Sequence, residues 1–159
     1  MTGGTVTARL AELGLQLPEV AAPVAAYVPA VTDGHLVWTS GQLPFVAGEL
    51  PATGVVGDGE GLVPPQDAAQ LARVCALNAL AAIGSVADLD DVAQIVKVLG
   101  FVASAPGFTG QPQVVNGASQ LLGDVFAAAG RHARSAVGVA ALPLGAPVEV
   151  EVVAALRPS

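Results

Sequence analysis

From Gln66 to Ile83 the chain runs without a glycine or a proline, and it then meets Gly84. Such a stretch, closed by glycine, predicts a helix of about five turns. Apolar residues nearly encircle it, so both of its faces need covering. Tyr27 to Val31 and Leu36 to Ser40 are rich in β-formers and flank Thr32-Asp33-Gly34-His35, where Asp-Gly marks a hairpin turn. Asp91 to Val102, with Ile95-Val96-Lys97-Val98 at its centre, reads as a strand. Pro112 to Ala129 reads as a second long helix, weakened by Gly117 and Gly123 and closed by Gly130. Ser135 to Ala141 and Val148 to Ala155 are the last strands, separated by turn residues around Pro143, Gly145 and Pro147. Before all of these, Val6 to Leu13 suits a short amphipathic helix capped by Thr5 and stopped by Gly14, after which Pro18 and Pro23 break the chain. The order predicts an α+β fold, one sheet layered with two helices.

Two intervals stand outside this pattern. Residues 1–25 form an N-terminal extension, and residues 41–65 form a loop crowded with Gly and Pro, of a length that is often functional. Within it Gly57-Asp58-Gly59-Glu60-Gly61 lacks phosphate-loop spacing and a following Lys, so it reads as a turn-rich lid at most.

At 159 residues the chain fits one domain. Hydrophobic residues make up 53% and charged residues only 12%, too few charges to cover a monomer comfortably, so apolar surface is expected to be hidden against other copies. Around Gly138, Arg134, Ala136, Gly138 and Ala140 alternate with Val137 and Val139. The bulky side is expected to meet the helices, and the small side to approach a second subunit. A net charge of −7 is the wrong sign for displacing counterions from phosphates, which argues against a nucleic-acid partner. Arg73, Asn78, Asp88 and Lys97 interrupt every apolar run before the roughly 18 residues a membrane span needs. No basic flank and apolar run follow Met1-Thr2-Gly3-Gly4, so a cytoplasmic address is expected. The single Cys75 has no Cys or His at metal-ligand spacing; it reads as a core thiol, and no metal cluster is expected elsewhere.

Specific strings narrow the reading further. Val37-Trp38-Thr39-Ser40-Gly41-Gln42-Leu43-Pro44 resembles the strand-to-loop signature of the RidA/YjgF family of reactive intermediate deaminases. Val115-Asn116, Ala133-Arg134-Ser135, Ala141-Leu142-Pro143 and Val148-Glu149-Val150-Glu151 follow in the order of that family's C-terminal pattern, so the similarity covers about Tyr27 to Leu156. The resemblance implies a single RidA-like domain over residues 1–159 with the bacterial chorismate mutase-like fold. It implies a mixed sheet on two helices, a barrel-like homotrimer with sites in the clefts between subunits, and the last strand inside the sheet. The extra N-terminal segment, the long loop after Pro44, Ala136 where many members carry Cys and His132 where the archetype has Pro are similar to a longer subgroup of the family.

The same resemblance implies hydrolysis of small 2-imino acids or enamines (2-iminobutanoate or 2-aminoacrylate type) to 2-keto acids and ammonia, with no cofactor and a small carboxylate ligand as partner. In it Arg134 grips the substrate carboxylate, a task that suits the rigid fork of a guanidinium. Glu149 matches the carboxylate that orients a water, and as an alternating strand residue it leaves the same face as Glu151, about 7 Å away. Tyr27 closes the cleft and can offer a hydroxyl. Ser40, Gly41, Asn116 and Ala136 line the pocket. Apart from the resemblance, His132 stands next to the key Arg and is expected from its own chemistry to trade protons with the leaving ammonia. Two other readings use the same residues: a carboxylate-metabolite binding or sensing protein without turnover, and a ribonuclease, which the acidic balance disfavours.

Overall fold

The computed structural model describes residues 5–20 and 26–158. Residues 1–4, the start of the N-terminal extension, and the chain break expected at Pro23 lie outside the described residues. Helix α1 spans Val6–Glu12, and the Thr5 side chain accepts from the Ala8 N–H at its start. Strands β1 (Ala30–Asp33) and β2 (Leu36–Thr39) form the hairpin. Its two-residue connection is Gly34-His35, with Gly34 at φ 60°, so the turn lies one residue later than Asp-Gly suggests. Pro29 delays the first strand, which begins at Ala30 rather than Tyr27. Then come α2 (Pro65–Gly84), β3 (Val92–Ala103), α3 (Gln111–Phe126), β4 (Ala133–Val139) and β5 (Val148–Leu156). α3 stops three residues short of Ala129 because Ala127 turns to φ 51°.

The sheet order is β1-β2-β5-β3-β4, with β3 and β4 parallel across α3 and every other pair antiparallel. The last strand lies inside the sheet, and it contains no Gly or Pro that would cost it a ladder bond on either side. α2 and α3 cover one face, where Val37, Val98, Val102, Val148, Val150, Val152 and Ala154 are fully buried. The opposite face carries Val31, Trp38 and Val137, each about half exposed at 50%, 47% and 45%.

Three glycines set how closely the helices lie. A Cβ on Gly117 would fall 1.8 Å from the Ala69 carbonyl oxygen of α2; one on Gly100 would fall 2.3 Å from Val115 of α3; one on Gly138 would fall 2.8 Å from Gln111. This reverses the expectation for β4. Ala136 and Gly138 face α3 because the helix passes too near for larger side chains, and the bulky Val137 points away from it. β4 also begins at Ala133, two residues earlier than expected, because its register against β3 pairs Ala133 with Lys97.

The 41–65 segment is irregular, as its Gly and Pro content implies, but parts of it are packed against the core. Val56 is fully buried and exchanges backbone hydrogen bonds with Ala103 and Ala105; Gln42 does the same with Val150. The Asn78 side chain of α2 donates to the carbonyls of Leu43 and Phe45 at 2.9 and 3.1 Å. Hydrophobic burial and satisfied backbone groups together hold the segment down.

Gly117→Ala drives a methyl group into backbone that has no rotamer to yield. Thermal unfolding is expected to show a loss of about 1–3 kcal/mol, roughly 2–4 °C per kcal/mol for a chain of this size. An unchanged melting temperature would refute the close α2–α3 approach.

Candidate functional site

Two polar clusters stand on opposite faces of the sheet. The first gathers under α3. Arg134 pairs with Val98 in the β3–β4 register, and Val98 with Val152 in the β3–β5 register, so all three point toward the helices. The guanidinium reaches α3, where Nη1 donates to Asn116 Oδ1 at 2.8 Å and to Ser119 Oγ at 3.2 Å, and Nη2 donates to the Pro112 carbonyl at 3.3 Å. Ala136 lies two residues further along the same face of β4. His132 sits just before β4 with Nε2 2.8 Å from Ser119 Oγ and Nδ1 2.6 Å from the Gly130 carbonyl.

All three guanidinium partners are neutral. Among the described residues the salt bridges join Arg9 to Glu12 and Arg73 to Asp124, and none involves Arg134. Arg134 is thus a part-buried cation held by neutral groups alone. A guanidinium has five N–H donors. The three contacts fall on Nη1 and Nη2 and none on Nε, so Nε–H and one Nη2 hydrogen remain to be offered to a carboxylate.

The second cluster lies on the uncovered face. Glu149 pairs with Phe101, which pairs with Val137, so its side chain leaves the face opposite Arg134 and shares that face with Glu151. The Glu149 carboxylate occupies the space that a side chain at position 41 would take, because a Cβ there would be 1.7 Å from Oε1. Gly41 thus admits this carboxylate. The neighbouring Ser40 hydroxyl donates to the Val28 carbonyl at 2.6 Å, tying the Tyr27-Val28-Pro29 segment to the end of β2. Tyr27 is 48% exposed, so a single chain does not enclose it.

Burial raises the Glu149 carboxyl above the usual glutamate range, and the neighbouring Glu151 charge raises it further. Buried Cys75 behaves as expected of a core thiol: desolvation, then the charge of Glu149, push it well up, and its Sγ lies 3.7 Å from the Val148 carbonyl.

The structure therefore joins Arg134, Asn116 and His132 in one cluster and Ser40, Gly41 and Glu149 in another, and it does not join the two within one chain. Ser119, absent from the sequence-based set, connects His132 to Arg134. Its position three residues after Asn116, on the same helical face, was the available signal. His132 lies in the Arg134 cluster with a protein partner on each ring nitrogen. Among the described residues no helix is long and apolar enough to cross a membrane, and no group of three or more His, Cys, Asp or Glu is placed to hold a metal ion.

A family model described as "YjgF/chorismate mutase-like, putative endoribonuclease" matches residues 7–156. The chain belongs to this YjgF/chorismate mutase-like family. Protein TCP17 of Trypanosoma cruzi is 42% identical over 165 residues, 99% of this chain and 98% of that protein. The crystal structure of Atu1372 from Agrobacterium tumefaciens matches with a TM-score of 0.86 and 41% identity, covering 96% of this chain and 92% of its own. Escherichia coli TdcF, solved with bound serine, matches with a TM-score of 0.63 and 26% identity over 88% of this chain and 94% of its own. The YjgF match extends back to residue 7, so α1 is part of the matched region.

The raised Glu149 carboxyl has a stability consequence. A carboxyl whose folded pKa lies above its unfolded value stabilises the fold only while protonated, and that contribution is lost as pH rises through the folded value. Glu149→Gln is therefore expected to melt higher than the parent at pH 7, with the gap closing below about pH 4, where unfolded glutamate also protonates. A gap independent of pH, or a less stable variant at pH 7, would contradict the burial of this charge.

Proposed function

We propose that this chain hydrolyses small 2-imino acids to 2-keto acids and ammonia, in clefts where Arg134 of one copy meets Glu149 of the next. The observation that carries the reading is the Arg134 guanidinium itself: held by three neutral acceptors, with a fork of N–H groups left over. Its free valence suits a carboxylate, and the bound serine of TdcF, a relative of the same family, is a small molecule bearing one.

The chemistry needs little more. An imine carbon is electrophilic, so clamping the substrate and placing a water supply most of the acceleration. Water adds to the C=N carbon while the Glu149 carboxylate accepts its proton and passes it to the imine nitrogen, giving the carbinolamine. The carbinolamine hydroxyl then gives its proton through the same carboxylate to the nitrogen as the C–N bond breaks, so that the C=O of the keto acid forms and ammonia leaves. The opposite-face placement of Arg134 and Glu149 supports a site completed by a second copy, and so do the half-exposed Val31, Trp38 and Val137 on the uncovered face. A homotrimer of the barrel-like kind is the assembly proposed. Tyr27, Ser40 and Gly41 form the Glu149 side of the cleft, and Asn116 and Ala136 the Arg134 side. No cofactor takes part, and the proposed location is the cytoplasm.

A carboxylate-binding protein without turnover uses the same clamp, and serine held by TdcF favours it as the second reading. Arg134→Ala is expected to lower kcat/KM for 2-iminobutanoate, generated in situ from an amino-acid oxidase, by at least about 100-fold. Arg134→Lys is expected to recover little, because it restores charge without the fork. A loss below about twofold with the assembly intact would overturn the proposal; absent turnover in the parent with Arg134-dependent keto-acid binding would favour the second reading.

A further inference from the structure

His132 and Ser119 form a chain of hydrogen bonds that ends on Arg134, and its direction follows from the partners. A backbone carbonyl only accepts, so the contact between Nδ1 and the Gly130 carbonyl places the ring proton on Nδ1. In the neutral ring Nε2 is then an acceptor, and it takes the Ser119 hydroxyl proton at 2.8 Å. With that proton turned toward the imidazole, Ser119 Oγ presents a lone pair to Arg134, whose Nη1 donates to it at 3.2 Å. The same Nη1 donates to Asn116 Oδ1, so both of its hydrogens are fixed from one side.

We infer that His132 and Ser119 are positioning residues that hold the Arg134 fork open toward its ligand, acting through the guanidinium and not on the substrate. This inference rests on the carboxylate-clamp reading above. Without His132 the Ser119 hydroxyl proton is free to rotate toward Arg134 and give up its role as acceptor. Without Ser119 one Nη1 hydrogen loses its partner, and the guanidinium can roll about its last bond. Either change loosens the Nε and Nη2 pair that a carboxylate needs. A planar fork gives its full value only when it is already oriented before the ligand arrives.

Calorimetric titration of the full-length protein with 2-ketobutyrate, a stable keto acid, tests this directly. Ser119→Ala and His132→Ala are each expected to weaken binding about three- to tenfold, the worth of one hydrogen bond. Because they act in series, the double variant is expected to be no more than about twofold worse than either single. His132→Gln, whose side-chain oxygen can accept from Ser119, is expected to recover most of the affinity. In an Arg134→Ala background His132→Ala should change residual turnover by less than about twofold, a result that a general structural role would not produce. Single variants that bind within about twofold of the parent, or effects that multiply in the double, would overturn the inference while leaving the clamp standing. If Arg134→Ala itself leaves 2-ketobutyrate binding unchanged, the clamp reading fails and the inference falls with it.

Discussion

Everything in this fold is arranged around how near α3 lies to its neighbours. Glycine at 117 lets it touch the backbone of α2, and glycines at 100 and 138 let the sheet pass directly beneath it. That closeness, enforced by the buried Val and Leu side chains between the layers, leaves no room for large residues on the helix-facing side of β4. Arg134 is the exception on that side. It fits because its guanidinium extends to the α3 surface, where Asn116, Ser119 and the Pro112 carbonyl receive it. A helix held further away would leave those acceptors out of reach, and the side chain would be an ordinary flexible strand Arg.

Sheet parity decides the rest of the site. Arg134 points toward the helices, and Glu149, on the strand two places across, points away. Each is ionisable and half-buried, and neither pairs with an opposite charge among the described residues. A desolvated, unpaired carboxylate beside Glu151 costs stability, and a chain that keeps such a group supports it with packing elsewhere. The apolar residues on the same face give a physical reason for a second copy to settle there and bring the missing cation with it.

Much of this was legible from residue order. The uninterrupted runs around Gln66 to Ile83 and Val148 to Ala155 mark α2 and β5 to within one residue at each end, because Gly and Pro punctuate them cleanly. The start of β4 was not, since Ala133 carries no β-propensity and joins the sheet only through its register with Lys97. The orientation of β4 is not legible from the residues for a similar reason. Alternating size shows that a strand has two unlike faces, but which one the helix occupies depends on the helix's distance. Val56 and Val63, isolated in a Gly- and Pro-rich segment, have no periodicity to announce that they enter the core. In the site, Arg134 with Asn116 and Gly41 with Glu149 were recognisable as strings. The separation of the two pairs across the sheet was not, because β4 and β5 are not neighbours and their relative facing passes through the register of β3.

In the proposed reaction the cation and the carboxylate come from different copies of the chain. The direct measurement is to unfold and refold together two variants, Arg134→Ala and Glu149→Gln, each inactive alone, and assay imine hydrolysis of the mixed assembly. If each site draws Arg134 from one copy and Glu149 from its neighbour, random mixing in equal amounts restores roughly a quarter of the parent activity, whatever the size of the ring. A mixture as inactive as its components would place both groups on a single chain's site and contradict the arrangement described here.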